Sequence, residues 1–286
     1  MTATREISSA VIPVAGKGTR MAPVTSVLPK ALLPLVDQHG QLRTVLEMIL
    51  ADVAEAGIEH AILVVSPGQR EMIETYLAAA GELGRTALVE RIDWQVQTEA
   101  AGFGDAVAQT RPLLGQAGVL VMLGDHIHLP QPFQPSCTRQ VIDAWRKDRP
   151  AAMIGMQPVE ESELHLVGTA GGEPLGDGLY RCRDFVEKPD LETARKRLRT
   201  PGLAEGTYLA HAGIFAFGPE IFDALDQEAR AAARTGREVQ LAGAQEILLG
   251  QYPQSYLLRQ LAGVALDTGT PDGYEKTQAA LRAARI

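Results

Sequence analysis

A glycine-rich segment that carries two cations is the part of the sequence best suited to chemistry. Residues 15–30 read AGKGTRMAPVTSVLPK. Gly16 and Gly18 let backbone N–H groups approach an anion closely, and a helical turn that follows adds its dipole. Arg20 offers a fork of donors for phosphate, and Lys30 adds a point charge at the far end. The segment is therefore a candidate phosphate-binding loop.

By itself, the short motif Gly-x-Gly-Thr leaves other interpretations open. It lacks the third glycine of a dinucleotide fingerprint and the G-K-[ST] ending of a P-loop. An ordinary strand-to-helix turn with exposed cations fits it as well. A nicotinamide-binding fold would use Asp37, which lies roughly 20 residues after the glycines, as its ribose acid. Pro29 and Pro34 interrupt the helix–strand path of that fold and count against it.

Two aspartates are candidate ligands for a metal ion. Asp125 follows a predicted buried strand, and Asp267 precedes a glycine turn. Mg²⁺ is commonly bound by a few carboxylates together with phosphate oxygens of a substrate and water. Taken singly, each aspartate is also typical of a residue that caps a turn. His126 and His128 are interpreted as ordinary polar or surface residues, because a strand continuing through them would place Asp125 and the histidines on opposite faces.

Short apolar runs alternate with amphipathic segments through the first half of the chain. The pattern predicts buried strands at 10–14, 61–65, 94–97 and 119–123, and helices at 44–56, 71–80 and 102–114. Such alternation is typical of a mostly parallel sheet covered by helices on both faces. Because ligands bind beyond the carboxyl ends of parallel strands, we expect the glycine-rich loop, Gln97 and Asp125 to converge.

The second half of the chain is less regular. Strands are predicted at 151–156 and 214–217, helices at 191–198 and 219–233, and a turn between two strands at the glycine-rich run 171–178. No linker, internal repeat or low-complexity tract divides the sequence. We therefore predict one continuous α/β domain over residues 1–286.

The composition argues against several classes of protein. The net charge is −8, and no concentrated basic patch marks a nucleic-acid-binding surface. No run approaches the ~20 apolar residues of a membrane helix, and the N-terminal segment lacks the layout of a signal peptide. Cys137 and Cys182 lie far apart and form no CxxC pair. We expect a cytoplasmic protein whose partners are small molecules, with neither nucleic acid nor membrane among them.

The longer string GKGTRMAPVTSVLPKALLPLVD resembles the signature of the sugar-nucleotidyltransferase family. Within that family the chain is most similar to the bacterial UTP–glucose-1-phosphate uridylyltransferases, with thymidylyltransferases as near relatives. The later motifs that follow in the family's order are Gln97 with Gly102-Phe103-Gly104, Gly124-Asp125, Glu187-Lys188-Pro189, Gly213-Ile214-Phe215, Glu238-Val239-Gln240-Leu241 and Asp267-Thr268-Gly269-Thr270. The resemblance implies a Rossmann-like α/β fold with a mixed, mostly parallel central sheet and helices on both faces.

The same resemblance implies a reaction and its partners. A nucleotidyl group would pass from UTP to a sugar 1-phosphate, with glucose 1-phosphate as the expected acceptor, to give a UDP-sugar and pyrophosphate. Mg²⁺ is the implied cofactor, and the family's habit of self-association implies a homo-oligomer. Residues 1–130 would form the nucleotide-binding half, and residues 131–286 the sugar-phosphate-binding half.

Catalytic and metal-binding roles follow from the resemblance residue by residue. Arg20 would grip the β- and γ-phosphates that leave as pyrophosphate, and Lys30 would neutralise charge on the reacting phosphates. Lys188 matches the lysine that binds the sugar 1-phosphate. Asp125 and Asp267 would hold Mg²⁺.

The resemblance implies substrate-binding roles for Ala15, Gly16, Gly18, Thr19, Gln97, Gly102, Glu187 and Gly213. The loop residues would hold the nucleotide phosphates through their backbone. Gln97 would read the pyrimidine edge, because an amide presents both a donor and an acceptor. Gly102 would let the base lie close to the chain, and Glu187 would bind sugar hydroxyls.

Three positions depart from the family's pattern. Ala101 stands where uridylyltransferases usually carry a lysine, and Ala242-Gly243 stands where the family has Thr-Asp. The family's Tyr-Gly, whose glycine lies near the sugar, aligns with His165-Leu166 or, shifted, with Val167-Gly168. These departures leave three alternatives open: dTTP in place of UTP, a different sugar, and a catalytically weak sugar-nucleotide-binding regulatory protein.

Overall fold

Short strands alternate with helices along the chain, and the antiparallel strands of the main sheet come from its second half. The computed structural model describes residues 5–83 and 89–285. Its strands are β1 (Ile7–Pro13), β2 (Pro34–Val36), β3 (Leu42–Thr44), β4 (His60–Val65), β5 (Arg91–Val96), β6 (Gly118–Met122), β7 (His126–Pro130), β8 (Ala152–Glu160), β9 (Gly168–Gly176), β10 (Leu179–Glu187), β11 (Thr207–Phe217), β12 (Tyr256–Gln260) and β13 (Gly263–Asp267).

The helices cover both faces of these strands. They are α1 (Val45–Glu55), α2 (Gln69–Glu82), α3 (Phe103–Ala108), α4 (Arg111–Leu114), α5 (Cys137–Asp148), α6 (Leu191–Arg197), α7 (Glu220–Thr235), α8 (Leu241–Gln251) and α9 (Pro271–Ala283). Short 3₁₀ helices lie at Thr19–Met21, Val24–Ser26, Lys30–Leu32, Glu161–Leu166 and Pro253–Ser255. Within the described ranges, no helix combines the length and the apolar character that crossing a membrane requires.

One nine-stranded sheet organises the molecule, in the order β5-β4-β1-β6-β11-β8-β12-β10-β9. β5, β4, β1 and β6 are parallel to one another, as predicted for the first half. β11 runs antiparallel to β6 and β8, and β9 pairs antiparallel with both β10 and β11. The expected α/β fold with a mixed central sheet is confirmed, and the antiparallel part lies in the second half.

The two faces of the sheet are buried by different helices because strand side chains alternate in direction. Ile12 of β1 and Leu120 of β6 pack into a core that includes α1 and α5. Val11 and Val121, their immediate neighbours, pack into a second core with α3, α7 and α8. Strands buried on both faces therefore read as continuous apolar runs, which is how β1 and β6 were found in the sequence.

Helix boundaries follow local signals, and one of the predicted helices is broken. Thr44 begins α1 by accepting a hydrogen bond from the backbone N–H of Glu47 (3.2 Å) on its hydroxyl. The helix predicted over 102–114 is wrong as one unit, because it consists of α3 and α4. Thr110 donates its hydroxyl to the carbonyl of Val107 (2.7 Å), and Pro112 in the next turn has no N–H with which to continue the ladder.

The prediction of a turn over 171–178 is also wrong for most of its length. β9 continues to Gly176, and only Asp177 and Gly178, with φ of 50° and 69°, make the turn to β10. The earlier glycines are required by packing inside the strand. A Cβ at Gly171 would lie 3.0 Å from the carbonyl oxygen of Arg197, and one at Gly172 would lie 2.8 Å from the side chain of Tyr180.

Candidate active site

The glycine-rich loop leaves the sheet at the carboxyl end of β1, between β4 and β6. The backbone N–H of Val14 donates to the carbonyl of Val64 (2.8 Å), which holds the start of the loop against β4. Gly18 has a φ of 61°, in the left-handed region, and precedes the 3₁₀ turn that contains Arg20. The hydroxyl of Thr25 donates to the Gly18 carbonyl (2.7 Å) and closes the loop. The loop thus lies at the sheet edge where ligands of such folds bind.

Asp125 and Asp267 are brought together by the antiparallel pairing of β7 with β13. In that ladder Asp267 lies opposite His126, and Asp125 immediately precedes His126. Thr268 donates both its backbone N–H and its hydroxyl to the Asp125 carbonyl, each over 2.8 Å. One donor atom from each of Asp125, His126 and Asp267 lies within 4.8 Å of the other two. We call these three residues the acidic cluster.

Two cations face the acidic cluster. Lys30 Nζ lies 2.5 Å from Asp125 Oδ2. A Cβ at Gly269 would lie 2.7 Å from Asp125 Oδ2, 2.9 Å from Asp267 Oδ1 and 3.1 Å from a guanidinium nitrogen of Arg20. Arg20 and the two predicted metal ligands therefore surround one position, which a glycine leaves open, and Lys30 contacts the Asp125 side of that position.

The donor set and charge of the cluster fit a divalent metal ion. Burial alone would raise the pKa of Asp125, but the hydrogen bond and charge of His126, and then the charge of Lys30, hold that pKa well below its usual range. Asp125 is therefore ionised at neutral pH, as a carboxylate ligand must be. Carboxylate oxygens suit hard cations, and a hydrogen bond from His126 fixes the orientation of Asp125.

The interpretation of His126 as an ordinary polar residue needs correction. His126 Nδ1 lies 2.9 Å from Asp125 Oδ1. β7 begins at His126, so Asp125 lies outside the strand and the expected alternation of faces does not separate the two side chains. His128 is a buried structural residue: its Nε2 donates to the carbonyl of Ala212 (2.7 Å), and its side chain is 1% exposed.

Gln97 follows β5 at the same edge of the sheet, and its side-chain nitrogen is engaged within the protein. Nε2 donates to the carbonyl of Gly102 (3.1 Å) and to Asp105 Oδ2 (2.7 Å). Both contacts use the amide nitrogen, so the orientation of the amide is fixed. The Oε1 atom receives no hydrogen bond from the described residues, and it remains available to an N–H group such as that of a pyrimidine.

Gly102 is required by close packing within the chain. Its φ is 111°, and a Cβ there would lie 2.3 Å from the carbonyl oxygen of Val239. Val239 donates its N–H to the Ala101 carbonyl (2.8 Å) and accepts from the N–H of Gly104 (2.9 Å). The Glu238–Leu241 motif therefore braces the loop beside Gln97, and Ala101 takes part through its backbone.

At Ala242-Gly243, where the chain departs from the family's pattern, a carboxylate from α7 occupies the space beside Gly243. A Cβ at Gly243 would lie 2.5 Å from the carboxyl carbon of Glu228. The buried Glu228 carboxylate accepts hydrogen bonds from the guanidinium of Arg237 and from the N–H of Gln240 (3.2 Å). Glu228 thus fills space that a side chain at position 243 would need, and it fixes the segment that leads into the bracing motif.

Three adjacent strands form a notch in the second half of the chain. Glu187 at the end of β10 pairs with Gly168 at the start of β9, and β11 flanks β9 on the other side. A Cβ at Gly168 would lie 2.7 Å from Glu187 Oε2 and 3.2 Å from His211 Nδ1. Burial raises the pKa of Glu187, and the charge of Lys188 opposes that shift. We call this place the Gly168 notch, and it favours Val167-Gly168 as the counterpart of the family's Tyr-Gly.

His211 is a residue of the notch that the sequence analysis missed. Its ring stacks on Phe185 with 4.5 Å between centroids and meets the edge of Phe215 at 5.5 Å. Burial lowers the pKa of His211 to about 3, so the ring is neutral at physiological pH. Its Nε2 is buried and has no hydrogen-bond partner among the described residues. The sequence feature that could have identified His211 is its position two residues before the Gly213-Ile214-Phe215 motif.

Lys188 and Gly213 connect the notch to the acidic cluster. Lys188 has a φ of 49°, in the left-handed region that non-glycine residues rarely adopt, and its N–H donates to the Val167 carbonyl (3.2 Å). The carbonyl of Gly213 accepts from the N–H of Leu123 (3.1 Å), two residues before Asp125. β11 therefore brings the notch to the end of β6, where the acidic cluster begins.

A serine, a histidine and an aspartate also form a hydrogen-bonded line, at the opposite ends of the strands. Ser9 Oγ lies 2.8 Å from His60 Nδ1, and His60 Nε2 lies 3.1 Å from Asp93 Oδ2. The three residues come from neighbouring parallel strands near their starts. Ser9 is buried at 7% exposure, so the line joins β1, β4 and β5 rather than presenting a nucleophile.

A glycine-rich loop and a carboxylate cluster at the carboxyl ends of parallel strands are typical of an α/β nucleotide-binding protein. Residues 9–284 match the family described as nucleotidyl transferase. The match spans nearly the whole chain, and the chain belongs to that family.

Curated relatives and solved structures agree with this assignment. The chain is 32% identical to a UTP–glucose-1-phosphate uridylyltransferase of Streptococcus pneumoniae, over 96% of this chain and 90% of that protein. It is 29% identical to one of Staphylococcus epidermidis, over 96% and 91%. A crystal structure of UDP-glucose pyrophosphorylase complexed with UDP-glucose superposes with a TM-score of 0.78 at 24% identity, covering 98% of this chain and all of that one. UTP-bound UGPase from Acinetobacter baumannii gives 0.75 at 22%, covering 96% and 93%. At these identities the two structures establish the shared fold.

The low pKa of His211 predicts a pH dependence of stability. The folded chain holds this ring neutral, whereas the unfolded chain binds a proton below about pH 6.5. Stability from this source is complete above pH 6.5 and is lost as the pH falls towards 3, at up to about 1.4 kcal/mol per pH unit. Urea unfolding from pH 7 to pH 4 should show a steeper loss for wild type than for His211→Gln.

The exposed His165 provides the control for this measurement. His165→Gln should follow the wild-type pH profile. If His211→Gln and wild type lose stability in parallel, the neutral state assigned to His211 is wrong.

Proposed function

We propose that the chain transfers a uridylyl group from UTP to glucose 1-phosphate, giving UDP-glucose and pyrophosphate. The observation that carries the proposal is that Arg20 and Lys30, from the glycine-rich loop and the turn after it, meet Asp125 and Asp267 beside Gly269. Two polyanions can react there only if cations offset their repulsion. The curated relatives of this activity, which align with 96% of the chain, support the choice of substrates.

The reaction needs no nucleophile from the protein. An oxygen of the sugar 1-phosphate attacks the α-phosphorus of UTP, and the bond from that phosphorus to the β-phosphate oxygen breaks to release pyrophosphate. Arg20 binds the leaving pyrophosphate, and Lys30 offsets charge at the reacting phosphates. Lys188 binds the acceptor phosphate. Positioning and charge stabilisation are the means by which enzymes accelerate phosphoryl transfer.

The acidic cluster is assigned to Mg²⁺. Asp125 and Asp267 would be its protein ligands, and His126 would keep the Asp125 carboxylate in place. Bound Mg²⁺ supplies Lewis-acid stabilisation of charge on phosphate oxygens. Lys30 would then face two anionic partners, the Asp125 carboxylate and a phosphate of the substrate.

We propose that the nucleotide is recognised beyond the ends of β1 and β5, and the sugar in the Gly168 notch among β9, β10 and β11. The backbone of Ala15, Gly16, Gly18 and Thr19 is proposed to hold the nucleotide phosphates. Gln97 offers Oε1 to the pyrimidine, above the loop that contains Gly102. In the Gly168 notch, Glu187 and the neutral ring of His211 are proposed to bind sugar hydroxyls, with Gly213 holding β11 in position.

Further assignments follow from the proposed activity. Residues 1–130 would be the nucleotide-binding half of a single domain, and residues 131–286 the sugar-phosphate-binding half. A cytoplasmic location suits both substrates. We also propose a homo-oligomer, because the family resemblance implies self-association.

A pyrophosphate-release assay over a panel of nucleoside triphosphates and sugar 1-phosphates tests the function. UTP with glucose 1-phosphate should give the highest kcat/KM in the presence of Mg²⁺. A higher kcat/KM with dTTP or with another sugar 1-phosphate would support the proposed type of reaction but change the substrate assigned to this chain. Measurable UTP binding without pyrophosphate release from any pair would contradict the proposal and favour a regulatory binding protein.

Lys188→Ala is predicted to act on the sugar substrate. Removing a charge-assisted contact to the acceptor phosphate should raise KM for glucose 1-phosphate by about 10- to 100-fold and change KM for UTP far less. Lys30→Ala should instead lower kcat, because Lys30 is assigned to the reacting phosphates. Steady-state kinetics with each substrate varied in turn separates the two effects.

Lys147→Ala on the exposed surface of α5 removes the same charge far from these assignments and serves as the control. It should leave both KM values unchanged. Equal increases in the two KM values for Lys188→Ala would rule out the assignment of Lys188 to the acceptor phosphate.

A further inference from the structure

A cationic groove lies at the end of α6, apart from the proposed active site. It encloses about 540 Å³, and residues 200–208, which lead into β11, line part of it. Its cations are Arg183, Arg195, Lys196, Arg197 and Arg199, and Glu205 is the carboxylate among its lining residues. We call this the α6 groove. Its charge stands out because the chain as a whole carries −8.

Two of these cations are held rigidly by ion pairs. Arg195 donates to both carboxylate oxygens of Glu161 (2.9 and 2.8 Å), and Arg197 donates to both oxygens of Asp184 (2.7 and 2.8 Å). Such bidentate pairs fix the direction of a guanidinium. The walls of the groove are thus held in place before any ligand arrives.

The other three cations have no carboxylate at ion-pair distance in the described parts of the chain. The Arg183 guanidinium donates to the backbone carbonyl of Arg199 (2.6 Å), a contact that leaves the charge of Arg183 without a carboxylate partner. Lys196 and Arg199 also line the groove. Cations that line one cavity repel one another, and a bound anion would relieve the repulsion.

The helix dipole accounts for only part of the cluster. Basic residues in the last turn of a helix are favoured there, which explains Arg195, Lys196 and Arg197. It does not explain Arg183, which comes from β10, or Arg199, which lies beyond the helix. Residues from separate parts of the chain therefore converge on one cavity.

A buried hydroxyl adds a polar group to the same cavity. Thr200 is 6% exposed and lines the groove, and its Oγ1 accepts a hydrogen bond from the N–H of Gly172 (3.0 Å). The hydroxyl proton has no acceptor among the described residues. It can donate to a ligand oxygen while the bond to Gly172 holds the side chain in place.

We propose that the α6 groove binds a phosphorylated small molecule that carries at least two anionic groups. Guanidinium forks match phosphate oxygens, and the volume lies within the roughly 300–1,000 Å³ of small-molecule sites. The buried face of α6 is anchored by Ala194 and Leu198 in a small core, so the groove is a fixed feature of the fold. The proposal does not depend on the proposed reaction, because none of these residues belongs to it.

Hydrogen exchange followed by mass spectrometry, with inorganic pyrophosphate as the probe, tests this site locally. In wild type, pyrophosphate should slow exchange at residues 191–208. Lys196→Ala/Arg199→Ala removes two of the three groove cations that have no ion pair in the described parts of the chain. This variant should need at least about tenfold more pyrophosphate for the same protection. Protection at residues 15–30, where pyrophosphate also has a proposed site, should persist in this variant, and pyrophosphate release in the enzyme assay should be unchanged.

Arg230→Ala/Arg234→Ala on the exposed side of α7 is the matched control for the loss of two charges. It should keep the protection at 191–208. The proposal is overturned if wild type shows no protection there, or if the control loses as much as the groove variant. Protection that depends on protein concentration rather than pyrophosphate would identify a contact between copies of the chain and would equally overturn it.

Discussion

Two carboxylates held close together are the constraint on which the site depends. Asp125 and Asp267 come from distant parts of the chain, and the pairing of β7 with β13 fixes them next to each other. Their mutual repulsion is offset within the protein by Lys30, by His126 and by the guanidinium of Arg20. The glycine-rich loop, the end of β6 and the start of α9 all lie around this balance of charge.

Glycines that let neighbouring groups pack close to the backbone are the second feature on which the site depends. At Gly269 the missing side chain leaves room for the acidic cluster, and at Gly168 it opens a notch between Glu187 and His211. At Gly102 it lets the chain pack on Val239. Behind that contact, the buried Glu228 and its partner Arg237 hold the bracing segment. Glu228 and Arg237 therefore fix the loop that follows Gln97.

The sequence was most informative where a residue stands at the end of a short buried strand. The phosphate loop after β1, Gln97 after β5 and Asp125 after β6 were all located from apolar runs and parallel topology. Their roles came from a family resemblance. The structure shows that Asp125, Asp267, Arg20 and Lys30 converge, and their functions remain predictions.

The rest of the site depends on pairings between strands that are distant in sequence. Nothing local indicates that β9 lies between β10 and β11, so neither Gly168 nor His211 could be placed beside Glu187. The role of His126 was misjudged because no unbroken strand runs through Asp125: β6 ends at Met122 and β7 begins at His126. The glycines at 171 and 172 suggested a turn by composition, yet packing against neighbouring chain segments is what requires them.

The central claim is that Asp125 and Asp267 are ligands of one metal ion, and Mn²⁺ binding followed by electron paramagnetic resonance tests it most directly. Wild type should bind one Mn²⁺ that UTP makes tighter. Asp125→Asn and Asp267→Asn should each weaken binding by on the order of 10- to 100-fold, and the double variant should lose little more than either single one, because ligands of a single ion act together. Independent, additive losses, or wild-type affinity in either single variant, would contradict the account.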